Sequence, residues 1–189
     1  MLLVVGRFSA ADVAPLQEAL APKVMGDPKA PVTLTEFASL TCPHCANFHQ
    51  NYLPAIKKDF IDTGKVKLVF TDYPLDGLAL AGSMLARCGG EKRYFGFIEV
   101  LFRSQQTWSR AADPRQALMQ VARLGGLSDA DFNACLANQE LLTGIRKTAD
   151  DATKEYGISS TPSFLINGKM VEMRSFDEMH GLLQKAAGS

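Results

Sequence analysis

Four cysteines occur in the 189 residues, and two of them stand together as Cys42-Pro43-His44-Cys45. Two thiols at that spacing do one of two things: they cycle between dithiol and disulfide, or they supply half of a zinc site. A structural zinc site takes its second half from another close pair or a Cys/His cluster, whereas Cys88 and Cys135 each stand alone. The redox reading is therefore carried forward. Pro43 suits the first position of a helix, since its missing N–H would be an orphan there and its fixed φ is already helical. That puts Cys42 at a helix N-terminus, where unpaired N–H groups and the positive end of the helix dipole stabilise a thiolate, with His44 adding a cation or a hydrogen-bond donor. Cys42 is expected to ionise below the ordinary thiol range. Each unit of depression stabilises the reduced protein by about 1.4 kcal/mol and makes the disulfide a stronger oxidant. Cys45, one helical turn further in and shielded, is the expected resolving thiol.

The elements that must hold this pair are legible from periodicity. Val32, Leu34 and Phe37 among threonines predict a strand within 31–40, and Phe48, Leu53, Ile56 and Phe60 predict a helix after the motif, bent at Pro54. Gly64 ends that helix, and a second strand follows over 66–70. Five helices are predicted over 77–88, 91–104, 114–124, 129–137 and 139–156. Asp113-Pro114 and a Ser128/Asp131 capping box start two of them, and Gly125-Gly126 stops one. The second of the five, with Tyr94, Phe95, Phe97, Ile98, Leu101 and Phe102, is too apolar for a surface helix and should fill a core. The last carries Leu141, Leu142, Ile145, Ala149, Ala152 and Tyr156 on one face. Between Thr161 and Val171 an apolar run, an Asn167-Gly168 turn and a second short strand form a β-hairpin. Pro162 at the strand entrance reads by itself as trans, but beside an upstream Cys-x-x-Cys helix the cis form, accessible only to X-Pro bonds, is preferred. Ser175 and Glu178 make a capping box opening a terminal helix with Leu182 and Leu183.

Four stretches together resemble the DsbA-type thiol:disulfide oxidoreductases of the thioredoxin superfamily. They are the run from Gly26-Asp27-Pro28 through Val32-Thr33-Leu34-Thr35-Glu36-Phe37, the Cys42-Pro43-His44-Cys45 motif, the Thr161-Pro162 strand and the helical block between them. The resemblance spans about residues 24 to 187. It implies an α/β protein, a thioredoxin fold with an inserted α-helical domain: 24–75 and 157–189 form the thioredoxin-like domain, 76–156 the insert, and 1–23 an N-terminal extension or precursor remnant. It implies a cis Pro162 facing the dithiol and Thr161 offering backbone groups to an extended substrate peptide. Glu36, six residues before Cys42, falls where the family keeps a buried acid that handles protons. Read alone, it is equally an exposed strand carboxylate. Lys65 or Lys67 is a candidate partner for that acid, or merely a solvated charge. In a subset of the family a disulfide links cysteines placed like Cys88 and Cys135. Such a bridge closes a loop of about 48 residues and contributes roughly 4 kcal/mol in the chain-entropy treatment. Two buried free thiols are the alternative. The implied activity is a monomeric, cofactor-free protein oxidase that gives its Cys42/Cys45 disulfide to folding cysteine-containing polypeptides, reoxidised by a membrane quinone-linked partner of the DsbB type in the periplasm. A disulfide isomerase or reductase on the same fold is one rival, and a non-catalytic metal-binding or chaperone module is another.

Composition sets matching bounds. Hydrophobic residues make up 47% of the chain, enough for a substantial core, and 20 basic residues balance 20 acidic ones, which argues against a nucleic-acid partner. No run approaches the roughly 18 apolar residues of a membrane span, so a soluble protein is expected. Met1-Leu2-Leu3-Val4-Val5 is too short for the apolar core of an intact signal peptide and has no basic residues before it. A short helix near Asp12 to Leu20 is an option. His49 and His180 have no clustered carboxylate or second histidine in the sequence and are not expected to bind metal. Trp108 is read as a packing residue at the insert's edge, with the border of a substrate groove as the alternative.

Overall fold

Alternation decides the sheet. In β2 (Val32–Ala38), Val32, Leu34, Glu36 and Ala38 share one face while Thr33, Thr35 and Phe37 share the other. In β3 (Val66–Asp72), Val66, Leu68, Phe70 and Asp72 do the same. The two strands run parallel, with Glu36 opposite Phe70 and Ala38 opposite Asp72. The computed structural model describes residues 13–172 and 175–188. It completes the sheet with β1 (Lys23–Met25), β4 (Ser163–Ile166) and β5 (Lys169–Met170) in the order β1-β3-β2-β4-β5. β1 pairs antiparallel with β3, and β4 pairs antiparallel with both β2 and β5. The β4–β5 turn places Asn167 and Gly168 at φ 51° and 76°, the left-handed geometry that an Asn-Gly hairpin turn needs.

The helix after the motif covers one face of the sheet, burying Val32, Leu34, Val66 and Leu68 against Phe48, Leu53, Ile56 and Phe60. It is one rod built of alternating turns: α2 (Pro43–Asn47), a π turn (Phe48–Tyr52), α3 (Leu53–Ile56) and a second π turn (Lys57–Ile61). Pro54, which cannot donate to the ladder, lies in the short α segment between the π turns, so the bend expected there coincides with widened turns.

Between β3 and β4 the chain inserts α4 (Gly77–Cys88), α5 (Glu91–Arg103), α6 (Gln105–Ser109), α7 (Pro114–Leu124), α8 (Asp129–Ala137) and α9 (Gln139–Tyr156). This is the thioredoxin fold with a helical insertion. Side chains cap four of these helices: Asp76, Asp113, Ser128 and Asn138 accept from backbone N–H groups of the first turn. Ser128 and Asp131 close the reciprocal capping box. The insert core gathers Leu85, Tyr94, Phe97, Ile98, Leu101, Phe102 and Trp108. Cys88 and Cys135 form a disulfide joining α4 to α8, packed among Ala19, Leu80, Met84, Leu141 and Ile145. α9 serves two cores, with Leu141 and Ile145 at that disulfide and Ala152 against Phe37 and Leu165 of the sheet.

Three features differ from the sequence reading. Residues 16–23, assigned to an extension in which a short helix was an option, carry that helix as α1 (Leu16–Leu20) and add the start of β1, whose three residues are too few for alternation to reveal. The Arg87 guanidinium fastens this segment by donating to the carbonyls of Ala19 and Ala21. Met1 to Val5 lie outside the described residues. Residues 105–109, outside the helices predicted from periodicity, form helix α6. The terminal helix α10 (Asp177–Ala186) starts later than the Ser175/Glu178 box requires, with Phe176 as N-cap and no side-chain cap. Phe176 is held there by rings of Phe48 and Tyr52, at centroid distances of 5.3 and 5.1 Å. Among the described residues no helix is long and apolar enough to cross a membrane.

Candidate redox-active site

Cys42 is the N-cap of α2, with φ −77° and ψ 119°, and Pro43 is its first helical residue. The loop before it is pinned on three sides. The Cys42 N–H donates to the Ser39 carbonyl at 3.0 Å, and the Thr41 hydroxyl donates to Asp76 Oδ2 at 2.6 Å. The buried Gln105 amide, reaching over from α6, donates to the carbonyls of Leu40 and Cys42 at 2.8 and 2.9 Å. Both thiols are free. Cys42 is 7% exposed and Cys45 is sealed at 0%.

Their surroundings drive the two thiols apart. The hydrogen bond from Cys45 is the largest influence on Cys42. With help from Thr161 and from the backbone N–H groups of Cys45 and His44, it lowers the Cys42 thiol to about 5, against the opposing effect of burial. Cys45 moves the other way. Burial pushes its thiol far above the ordinary range, and its hydrogen bond to Cys42 and the negative charge of Glu36 add to that.

The loop before β4 faces the pair. Cys42 Sγ lies 3.2 Å from the Thr161 carbonyl oxygen, and the Thr161-Pro162 peptide is cis. The Thr161 hydroxyl is buried without a partner among the described residues. Tyr73 steadies this loop, its hydroxyl donating to the Ile158 carbonyl at 2.9 Å and lying 2.8 Å from the Thr153 hydroxyl. Pro43 and His44 are exposed. His44 lines a groove of about 380 Å³ with Tyr52, Pro162, Met170 and Phe176. The groove therefore adjoins the Thr161-Pro162 peptide that faces Cys42.

Glu36 lies wholly buried beneath the active-site helix because it follows Val32 and Leu34 on the inward face of β2. Its partner is neither candidate lysine. Lys67 donates to the Pro28 carbonyl and Lys65 is exposed, both consequences of their places off the inward face of β3. The partner is His49, whose Nε2 lies 2.9 Å from Glu36 Oε2. His49, read from sequence as having no carboxylate, thus meets one that is 13 residues away in the chain and brought close by the strand–helix packing. His180 likewise pairs with Asp59 at 3.0 Å, on the surface. Trp108 is buried in the insert core, its indole N–H donating to the Leu101 carbonyl. Gln105 and Tyr73 carried no signal in the sequence, since a lone amide and a lone phenol mark no motif. Among the described residues no three His, Cys, Asp or Glu side chains are grouped to hold a metal ion.

A family model described as Thioredoxin matches residues 18–185. A Rickettsia typhi protein that carries the provisional name protein-disulfide oxidoreductase is 31% identical over 164 residues, 86% of this chain. This chain spans 61% of that relative's length, about three-fifths. Disulfide bond formation protein D of Bacillus subtilis is 28% identical, with 86% of this chain and 75% of that protein covered. Among solved structures, Wolbachia pipientis alpha-DsbA1 superposes with a TM-score of 0.81 at 32% identity, covering 88% of this chain and 91% of that one. Oxidised BdbD of Bacillus subtilis shares the fold at TM-score 0.76 and 22% identity, covering 96% and 99% of the two chains.

Proposed function

The chain belongs to the DsbA-type thiol:disulfide oxidoreductases of the thioredoxin superfamily, and from that membership we propose that it is a dithiol oxidase which donates the Cys42–Cys45 disulfide to folding cysteine-containing polypeptides. The observation that carries this reading is the separation of the two thiols, Cys42 lowered to about 5 and Cys45 driven far up. A substrate thiolate attacks Cys42 Sγ. The Cys42–Cys45 bond breaks, its electron pair passes to Cys45, and Cys45 takes up a proton. A second substrate thiolate then attacks the substrate sulfur of the mixed disulfide and expels Cys42, a good leaving group because it is stable as the thiolate. Two electrons have moved from the substrate thiols to the protein, and the substrate holds the new disulfide.

The Thr161 carbonyl and the groove beside His44 and Pro162 hold the substrate segment in this reading. Residues 24–75 and 157–189 are the thioredoxin-like part and 76–156 the inserted domain, with Cys88–Cys135 as a structural bridge. Return to the disulfide requires an electron acceptor, for which a quinone-linked membrane protein of the DsbB type fits. The protein works as a monomer in the periplasm or an equivalent extracytoplasmic space, where disulfides persist.

Equilibration with glutathione redox buffers, followed by thiol trapping in a Cys88→Ser/Cys135→Ser background, tests the direction of transfer. An oxidase settles toward about −120 mV, and a value near about −270 mV overturns this reading in favour of a reductase.

A further inference from the structure

The geometry points to His49 as the residue through which the proton of Cys45 enters and leaves the interior, relayed by Glu36 and exchanged with water in the groove between the active-site helix and α5. Cys45 is fully buried, yet it must gain a proton when the disulfide opens and lose one when it closes. Glu36 is the carboxylate whose charge acts on it. Glu36 is itself wholly buried, and its Oε1 has no hydrogen-bond partner among the described residues, which leaves one oxygen free to accept a proton. A carboxylate sealed in this way needs a second group to reach solvent.

His49 has the placement for that. It sits in the π turn after α2, where the widened backbone offsets it from regular helical spacing. Phe102 and Phe70 hold its ring, at centroid distances of 4.3 and 5.6 Å, and its Nε2 is committed to Glu36 Oε2. The ring forms part of the wall of an open cavity of about 720 Å³, separate from the groove lined by Thr161 and Pro162. Nδ1 has no hydrogen bond to the described residues, so it is the nitrogen left for groove water. The other charged or titratable groups around the ring are Lys57 on the active-site helix and Tyr94, Glu99 and Arg103 on α5. Lys57 is paired with Asp62, Arg103 with Glu99, and the Tyr94 hydroxyl with Asp72. His49 is thus the one of these groups that touches both Glu36 and the groove.

The proton balance closes over a cycle. When the disulfide opens, water protonates Nδ1, the Nε2 proton passes to Glu36, and Glu36 protonates the Cys45 thiolate. When the disulfide closes, the Cys45 proton returns through Glu36 to Nε2, Nδ1 releases its proton to the groove, and the starting tautomer is restored. An imidazole, accepting at one nitrogen and donating at the other, suits this exchange.

The inference rests on dithiol turnover as proposed above, but not on its direction. The test uses the full chain, and the closing step is read as the single-turnover oxidation of reduced protein by oxidised glutathione across about pH 6 to pH 8. His49→Gln, which keeps a hydrogen bond to Glu36 but moves no proton, is expected to slow closing by about 10²-fold and to flatten its pH profile. Imidazole added to His49→Ala, whose lost ring opens onto the groove, is expected to restore the rate, and added to Glu36→Gln to restore nothing. Wild-type closing in His49→Gln, or a slow His49→Ala that imidazole does not accelerate, overturns the relay. Cys42 alkylation, followed in parallel, reports the dithiol reading separately, and a thioredoxin-like potential would overturn the oxidase reading while leaving this one intact.

Discussion

The Cys42 thiol donates a hydrogen bond to the carbonyl oxygen of Thr161 at 3.2 Å, across 119 residues of chain. The contact brings the loop before β4 onto the N-terminus of α2, and it places the buried Thr161 hydroxyl, which has no hydrogen-bond partner among the described residues, beside the sulfur that ionises.

Thr161→Val removes that hydroxyl at nearly constant volume. The midpoint of Cys42 alkylation, expected at about 5 in the parent, should move upward. It should move further in Cys45→Ala, because the Cys45 hydrogen bond is the largest influence on Cys42. A pH series of iodoacetamide labelling checks both, and identical midpoints in all three proteins would mean that neither side chain sets the depression.

Stability should follow the same ionisation. The folded-state value of Cys42 lies below its ordinary 9.0, so its contribution to the reduced protein is complete above pH 9 and is lost as pH falls through about 5. Between pH 7 and pH 5 the reduced form should lose on the order of 2–3 kcal/mol relative to the oxidised form, which has no Cys42 thiol to titrate. Urea unfolding of both redox forms at the two pH values measures the gap, and parallel curves would contradict it.

Gln105→Leu strands the Leu40 carbonyl in a dry environment, while the Cys42 carbonyl keeps the Ala46 N–H. An unsatisfied buried group costs about 1–3 kcal/mol, and a loss of that size is expected by chemical denaturation. Slower thiol exchange should accompany it, since the loop carrying Cys42 loses its brace. Gln105→Glu, which cannot donate through its carboxylate, should be at least as damaging.

Asp72 and Arg87 form a buried ion pair at 2.6 Å. Asp72→Leu or Arg87→Met alone leaves one charge uncompensated and should cost about 3–5 kcal/mol, whereas the Asp72→Leu/Arg87→Met double variant should recover part of that loss. Arg87 also donates to the Ala19 and Ala21 carbonyls. Proteolysis near residues 13–22 should therefore accelerate in both variants that lack Arg87. Additive single effects in the thermal unfolding cycle would show that the pair is not coupled.

Local signals revealed the elements that hold the dithiol and left its support hidden. Two cysteines and a proline in four positions locate the helix start, alternation places β2 and β3, and Asn167-Gly168 marks the hairpin, because each depends on neighbours in the chain. Glu36 was visible as a candidate acid through the family resemblance, six residues before Cys42, and its place on the face of Val32 and Leu34 is what buries it. Its partner His49 was not, because a contact between a strand and the helix packed on it depends on the angle at which they cross. Gln105 was hidden for a similar reason, because an amide pointing inward from a five-residue helix looks like surface until the fold encloses it. β1 is too short for any period to be detected.

Glu36 and Asp72 occupy the inward face of adjoining strands, and each finds its partner within the protein, the His49 imidazole for one and the Arg87 guanidinium for the other. Mobile ions screen charges that water can surround, over about 8–10 Å in ordinary buffers, and act much less on pairs enclosed in the interior. The carboxylate whose charge acts on Cys45 is therefore answered inside the fold, and salt in the surrounding medium has little hold on it.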